Sequence, residues 1–354
     1  MPPYHRGVLR RTTICLLLTL VLASPALAGD TFAPKEGKIY AGVSDTGRKR
    51  DYRAFTELVG THVAVMQSFQ TWGSWQEDHR QAWKRTETRG MLSISTTGSY
   101  EGAEVISPRQ IRRGRGDGYL MKVGRELDAW NRPTYIRLLP EMNGHWNPYC
   151  AFDEDGSKRD AAHSTAQFRK AWIRSVLIIR GGSKNRINRK LRRIGMPPIR
   201  RTAHPPSRLP SPKVSFLWVP QTHGSPNIRA NAPRPYYPGR RYVDWIGADI
   251  YGSFPNFAGL DRFYADFRRK PFVIGEWSPW AVDDPDFTHH LHEWVEANKR
   301  AQMMVYFQGF GDPNPFQLQL YPKSAEELRR QLSSSRYVKK APDHHKPDKG
   351  PEDG

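Results

Sequence analysis

The sequence contains few cysteines, and this scarcity limits how the fold can be held together. Among its 354 residues, the cysteines are Cys15 and Cys150. We expect Cys15 to be removed with an N-terminal export segment, which would leave Cys150 without a partner in the mature chain. A disulfide framework is therefore excluded as the basis of the fold, and packing of an apolar core has to stabilise it.

Long apolar runs are also missing. The run at residues 14–22 is about ten residues long, whereas a bilayer span needs about twenty. Arg6, Arg10 and Arg11 precede this run and Ala-Leu-Ala follows it at 26–28, an order typical of a secretory signal. The sequence predicts a signal peptide over residues 1–28 and a secreted, extracytoplasmic protein with no transmembrane segment after its removal.

Acidic residues are scarce relative to basic ones, 35 against 55, and the formal net charge is +20. Ten basic residues and no acid lie between Lys184 and Lys213. This basic insertion could contact an anionic envelope surface or could be a solvated, proline-rich excursion. Because it lacks the interleaved aromatic residues of a stacking platform, we expect no nucleic acid partner. The polar tail at 338–354 is expected to be disordered.

Several motifs of cofactor and metal enzymes are absent. The first predicted strand is followed by "GVSDTG", which lacks the glycine spacing of a dinucleotide-binding turn. The histidine-rich stretch "HHLHEW" at 289–294 lacks the His-Glu-x-x-His spacing of a zinc site. No cofactor and no metal are therefore expected.

Eight short β-rich runs alternate with amphipathic helical patterns along the chain. The runs occupy residues 38–44, 62–69, 91–95, 134–139, 214–220, 243–251, 272–277 and 303–307. This alternation over a chain of this size predicts an α/β fold, a single (β/α)8 barrel of the TIM type, over residues 29–337. The basic insertion, residues 181–213, would then precede the fifth strand and lie far from the strand ends that carry chemistry.

Two glutamates stand at predicted strand ends among aromatic rings. Glu141 follows the fourth run in "LPEMNGHWNPY", and Glu276 ends the seventh run in "KPFVIGEWSPW". Hydrolysis of a glycosidic bond needs one carboxylic acid to protonate the leaving oxygen and one carboxylate on the other face of the sugar. Alternatively, both acids form structural salt bridges and the rings belong to the core.

The same two segments resemble conserved segments of glycoside hydrolase family 26, the β-mannanase family of retaining (β/α)8 enzymes. "YIRLLPEMNGHWNPY" is similar to its acid/base segment and "KPFVIGEWSPW" to its nucleophile strand. The resemblance runs in order through most of residues 38–310. It implies that Glu141 is the general acid/base and Glu276 the nucleophile of a double displacement.

Further site residues follow from their positions and from this resemblance. Arg137 either keeps a carboxylate charged or pairs with an acid inside the barrel, and Asn143 either donates to a sugar hydroxyl or stabilises a turn. The resemblance implies a hydrogen bond from Tyr251 to Glu276. The candidate sugar platforms, each with a core residue as its alternative, are Trp72, Trp146, Trp277 and Trp280.

One position departs from the family pattern. Where the family has histidine directly before the acid/base, this chain has Pro140, which lacks both a side-chain donor and a backbone N–H. The change affects the expected mannose specificity more than hydrolysis, since both glutamates remain. His145 and His223 are nearby polar alternatives.

The sequence as a whole predicts a secreted retaining glycoside hydrolase acting on a β-linked polysaccharide, mannan-like or another β-glycan. The alternative is a catalytically inactive carbohydrate-binding or cell-envelope protein that keeps the barrel. The pattern of residues leaves the linkage and the choice between endo and exo action open.

Overall fold

The computed structural model of the protein describes residues 30–44, 51–99, 102–199, 207–311 and 314–344. The predicted signal peptide lies outside the described residues. No helix among those described is long and apolar enough to cross a membrane.

Eight parallel strands form a closed barrel. In spatial order these strands are β1, β2, β3, β4, β7, β8, β9 and β10, and β10 pairs with β1 to close the sheet. The strands are β1 (Ile39–Ser44), β2 (Val65–Gln70), β3 (Arg89–Ile94), β4 (Thr134–Leu138), β5 (Gly182–Ser183), β6 (Arg208–Leu209), β7 (Val214–Trp218), β8 (Trp245–Tyr251), β9 (Phe272–Ser278), β10 (Ala301–Tyr306) and β11 (Tyr337–Val338). The predicted single (β/α)8 barrel is confirmed.

Helices connect the strands and cover the outside of the barrel. They are α1 (Asp51–Val59), α2 (Asp78–Arg85), α3 (Pro108–Arg112), α4 (Asp117–Trp130), α5 (Thr165–Arg180), α6 (Lys184–Arg193), α7 (Pro233–Tyr236), α8 (Phe257–Asp266), α9 (Pro285–Ala297) and α10 (Pro322–Leu332). Polar side chains accept from otherwise unpaired N–H groups in the first turns of four of them, and Ser107 does so for α3. Ser164 caps α5, Asn256 caps α8 and Asp284 caps α9.

The barrel has two ends, named here the amino end and the carboxyl end after the strand termini that lie there. At the amino end, Phe32 O accepts hydrogen bonds from Tyr135 Oη and Arg89 Nη1, each at 2.7 Å. Trp245 Nε1 donates to Thr31 O at 2.7 Å. The segment before β1 therefore seals the amino end of the barrel.

The tail contributes to the same seal. Asp343 forms a salt bridge with Arg89, whose side chain is 4% exposed, and Ala341 is fully buried. The predicted disorder of the tail is therefore wrong for residues 338–344, because a carboxylate at position 343 compensates a buried guanidinium. Residues 345–354 lie outside the part of the chain that the structure describes.

The basic insertion packs onto the amino end as well. Its two short strands, β5 and β6, pair antiparallel and bracket α6. Ile187 and Leu191 of α6 are buried, and Arg174 of α5 donates to the carbonyl of Pro197 at 2.8 Å. The interpretation as a solvated excursion is therefore wrong for α6, whose apolar face packs against the barrel helices.

Candidate active site

Three carboxylates meet at the carboxyl end of the barrel. Glu141 follows β4, Asp249 lies in β8 and Glu276 lies in β9. One carboxylate oxygen from each lies within 4.8 Å of the other two. The fold thus brings together the two glutamates expected from the sequence and adds an aspartate that the sequence analysis missed.

Arg137 of β4 holds two of these acids. Its side chain is 1% exposed, and its guanidinium pairs with Glu276 through Nη1 and with Asp249 through Nη2. Such a planar fork suits two carboxylates at once. Both interpretations of Arg137 therefore apply, since it stabilises the charge of Glu276 and also pairs with an acid inside the barrel.

Glu276 accepts hydrogen bonds from three side chains. Besides Arg137, Gln67 Nε2 of β2 donates to Oε1 at 2.6 Å, and Tyr251 Oη donates to Oε2 at 3.0 Å. The expected contact with Tyr251 is thus present. Burial raises the pKa of Tyr251 well above its ordinary value, and the neighbouring carboxylates raise it further. The phenol therefore remains a donor, and all three side chains donate to the carboxylate of Glu276.

Glu141 has a different environment. Trp146 Nε1 donates to Oε2 at 2.9 Å, and Gln221 Nε2 donates to Oε1. Burial raises the pKa of Glu141, and the charge of Glu276 raises it further, against the opposing effect of Arg137. Glu141 therefore keeps its proton to a higher pH than an exposed glutamate, as a proton donor requires.

The backbone around Glu141 is strained. Leu139 and Glu141 have φ of 44° and 48°, in the left-handed region that disfavours side chains with a Cβ. Two hydrogen bonds fix this turn, from Leu139 N to Ile94 O and from Glu141 N to Val219 O, both at 2.8 Å. The N–H groups on either side of Pro140 thus bond to the last residue of β3 and to the residue after β7. The carbonyl of Pro140 accepts from Tyr149 Oη at 2.7 Å.

Two of the four predicted sugar platforms lie beside the acids with exposed ring surface. Trp146 is 52% exposed, next to Glu141, and borders a cleft of about 400 Å³ that His145 and His163 also line. Trp280 is partly buried on the Glu276 side, with its ring centroid 5.3 Å from that of Tyr251. Phe254 is 68% exposed, and its ring centroid lies 5.4 Å from that of Trp280. Aromatic surface therefore flanks the acids on both sides.

The other two tryptophans are core residues, and this corrects the prediction. Trp72 is 7% exposed and packs 4.6 Å from the ring of Tyr119. Trp277 is 2% exposed, and its ring centroid lies 4.9 Å from that of Tyr306. Side chains alternate along β9, so Glu276 points into the barrel and Trp277 points outward to the helices.

Asn143 is also fully buried, and its amide serves the loops. Its Nδ2 donates to Gln221 O at 3.1 Å, and its Oδ1 accepts from Gln221 N at 2.9 Å. The turn-stabilising alternative therefore describes Asn143, and a contact with sugar is not supported. By holding Gln221, it positions a donor to Glu141.

The histidines near Pro140 lie around the acids without contacting them. His145 Nδ1 lies 3.2 Å from Ser225 Oγ, and its ring lies 5.3 Å from that of Trp146. His223 is exposed and its Nδ1 lies 2.9 Å from Asn256 Nδ2. Neither forms a hydrogen bond with Glu141 or Glu276 within the described part of the chain.

The three acids could each offer one oxygen to a cation. However, Arg137 donates to both Asp249 and Glu276, so the protein itself supplies positive charge at the place a cation would occupy. Hard divalent cations prefer several free oxygen ligands. This donor set therefore fits acid–base and nucleophilic chemistry better than metal binding.

Fold and site together define a (β/α)8 protein with paired carboxylates at the carboxyl ends of its strands. No protein-family model matches the chain. Among curated proteins, Endoglucanase H of Acetivibrio thermocellus is 25% identical over 116 residues, which cover 32% of this chain and 12% of that protein.

Solved structures match over most of the chain. A GH26A structure from a Muricauda species is 16% identical with a TM-score of 0.56, covering 87% of this chain and 93% of that one. Bacillus subtilis mannanase is 14% identical with a TM-score of 0.53, covering 89% and 90%. The modular endo-β-1,4-mannanase of Cellulomonas fimi is 13% identical with a TM-score of 0.53, covering 88% and 74%. The predicted resemblance to glycoside hydrolase family 26 is confirmed at the level of the fold.

Proposed function

We propose that the protein is a retaining glycoside hydrolase acting on a neutral β-linked polysaccharide, with mannan first and mixed-linkage β-glucan or β-xylan next. The observation that carries this proposal is the pairing of Glu141 and Glu276, whose nearest oxygens lie within 4.8 Å. Retaining enzymes hold their carboxyl groups about 5–5.5 Å apart, while inverting enzymes need about 6.5–9.5 Å to admit water. The short separation favours direct attack by one of the two.

The different surroundings of the two glutamates support a division of roles between them. In the first step, the Glu276 carboxylate attacks the anomeric carbon while Glu141 gives its proton to the departing glycosidic oxygen. In the second step, Glu141 takes a proton from water, which attacks the anomeric carbon and releases Glu276. Once Glu276 is esterified, its charge no longer raises the pKa of Glu141. The pKa of Glu141 then falls, as its change from acid to base requires.

The order of substrates rests on the relatives and on the rings. The structural neighbours include mannanases, and the curated relative is an endoglucanase. Trp146 beside the acid would contact the sugar on the leaving side, and Trp280 beside Tyr251 the sugar on the other side. We further propose that residues 1–28 direct export, since polymeric substrates of this kind are met outside the cell.

Two variants test the assignment. Glu276→Ala and Glu141→Ala should each lower turnover of mannan or β-glucan by about 10³-fold or more, because each removes a group acting in the transition state. With an aryl glycoside that has a good leaving group, added azide should restore product formation in both. Chromatography and NMR should identify glycosyl azide of retained configuration for Glu141→Ala and of inverted configuration for Glu276→Ala.

Glu57→Gln is the matched control, since Glu57 is 63% exposed on α1 and pairs there with Arg53, so that its substitution removes one surface carboxylate. It should keep full turnover. Near-normal rates in either active-site variant would contradict the assignment. A wild-type protein that retains polymer without shortening it would instead be a binding protein.

A further inference from the structure

A second cavity lies at the amino end of the barrel, where the basic insertion meets the end of α5. Its volume is about 190 Å³, and Arg180, Arg186, Lys190 and Arg208 line it together with Ser183 and Tyr242. No acidic side chain is among its described lining residues. The cavity is thus lined by four basic side chains at the opposite end of the barrel from Glu141 and Glu276.

The fold of the insertion builds this cavity from two separate segments. The pairing of β5 with β6 sets Ser183 opposite Arg208, and Lys184 N donates to Ser207 O at 3.0 Å. Arg186 and Lys190 stand one turn apart on α6 and therefore share one face of the helix. Ile187 and Leu191, each one position further along, are buried and hold the helix against the barrel, which leaves Arg186 exposed and Lys190 partly buried at the cavity.

The charge in the cavity is largely uncompensated. Arg180 pairs with Asp244. In contrast, no ion pair or side-chain hydrogen bond within the described ranges involves Arg186, Lys190 or Arg208. Burial lowers the pKa of Lys190, and the charges of Arg186 and Arg180 lower it further. These cations therefore repel one another, and a bound anion would relieve the repulsion.

We propose that this cavity binds a phosphate-type oxyanion, either free or as the head group of an anionic phospholipid. Guanidinium groups donate in parallel pairs to such oxygens, and a lysine adds a point charge. At about 30 Å³ per liquid water, the cavity holds roughly six water volumes. It admits one small anion but not a folded partner. This site is separate from the proposed hydrolysis and does not depend on it.

Calorimetric titration of the full chain with inorganic phosphate tests the site. Wild-type protein should bind with one saturable site. Arg186→Gln with Lys190→Gln should weaken binding by about tenfold or more, because two charge-assisted contacts are lost. The matched control is Arg192→Gln with Arg193→Gln, which removes equal charge from exposed positions of the same helix that do not line the cavity. It should change affinity by less than about twofold.

Arg208→Gln provides a second variant on a different segment and should weaken binding in the same direction. Equal losses of phosphate affinity in the lining and control double variants would indicate nonspecific electrostatic attraction and overturn the proposal. The absence of saturable binding by the wild type would also overturn it. Unchanged polysaccharide hydrolysis in every variant is expected, and this separates the site from the catalytic assignment.

Vesicles distinguish the two sources of the oxyanion. One outcome is that cosedimentation with phosphatidylglycerol vesicles is lost in the double variant of Arg186 and Lys190 (the lining pair) and kept in that of Arg192 and Arg193 (the control pair). That result identifies the lipid head group as the bound oxyanion. Phosphate binding that requires the lining pair, without preference for these vesicles over phosphatidylcholine, assigns free phosphate. If both double variants lost vesicle binding equally, the cavity would not be a specific site for the head group.

Discussion

Glu141 and Glu276 are the same residue type, but different donors surround them. Glu276 receives a guanidinium, an amide and a phenol, whereas Glu141 receives an indole and an amide. A cation in direct contact favours an ionised carboxylate more strongly than neutral donors do. The two glutamates therefore have unequal surroundings, as the proposed division into a nucleophile and an acid/base requires.

At this scale, the indole of Trp146 tunes the acid. Its N–H stabilises the ionised form of Glu141 and so lowers the pKa of that residue. In Trp146→Phe the bond is lost, the pKa of Glu141 rises, and the acid stays protonated to higher pH. The alkaline limb of the pH profile of kcat/KM should therefore move to higher pH.

Trp280→Phe is the comparison for this experiment, because Trp280 lies on the Glu276 side and no hydrogen bond from it to Glu141 is present in the described structure. In Trp280→Phe, the alkaline limb of the pH profile of kcat/KM should stay at the same pH, while KM rises. An unchanged limb in Trp146→Phe would mean that the alkaline limb does not report Glu141.

At the scale of elements, a close contact between Trp83 and Gly90 packs α2 against the barrel. Trp83 is fully buried over Gly90 of β3, and its Nε1 donates to Ser68 Oγ at 3.1 Å. A Cβ on Gly90 would lie 2.4 Å from the ring. The absence of a side chain at position 90 thus allows the tryptophan to lie flat on the sheet.

Gly90→Ala should therefore lower the free energy of unfolding by about 1–3 kcal/mol, since Trp83 has to shift in a packed core. Urea denaturation followed by tryptophan fluorescence measures this loss.

Gly118→Ala is the control, because Gly118 lies in α4 with nothing within 4 Å of an added Cβ. It should be neutral or stabilising by up to about 1 kcal/mol. Equal stability of the two variants would show that α2 moves without cost.

The scale of elements also explains what the sequence could predict. All eight barrel strands were predicted, because short apolar runs separated by helical patterns are typical of this fold. Trp72 and Trp277 were misassigned, since sequence does not reveal which way a ring at a strand end points. Asp249 was missed because it is a single charged residue in an apolar run, and Gln67 because it is one of several polar residues in its strand. Their roles become visible once the strands face one another.

At the scale of the whole molecule, the two ends of the barrel have different tasks. The carboxyl end gathers the acids and exposed rings, and the amino end is sealed by residues 31–32 and by Asp343. Composition alone predicted disorder for the tail, yet one aspartate beside the buried Arg89 determines its position. Average polarity does not capture a single compensating charge.

Removal of that charge should destabilise the whole barrel. Asp343→Ala leaves the guanidinium of Arg89, 4% exposed, without its carboxylate, and we expect a loss of about 3 kcal/mol in the free energy of unfolding. Calorimetric unfolding should record the loss. The kcat of the folded fraction should stay unchanged, because Glu141 and Glu276 lie at the carboxyl end of the barrel and Asp343 at the amino end.

Lys339→Ala controls for a substitution in the same tail, since its side chain is exposed. A loss as large as that of Asp343→Ala would mean that the tail as a whole, and not the ion pair, carries the effect.

The seal at the amino end has a practical consequence for attaching this protein to something else. Asp30 is exposed and immediately precedes the sealing residues. A tether joined there, whether to a bead, a scaffold or a second module, would anchor the barrel by its amino end. The rings of Trp146 and Phe254 would then face the medium, so that an insoluble polymer could approach an immobilised molecule from the free side.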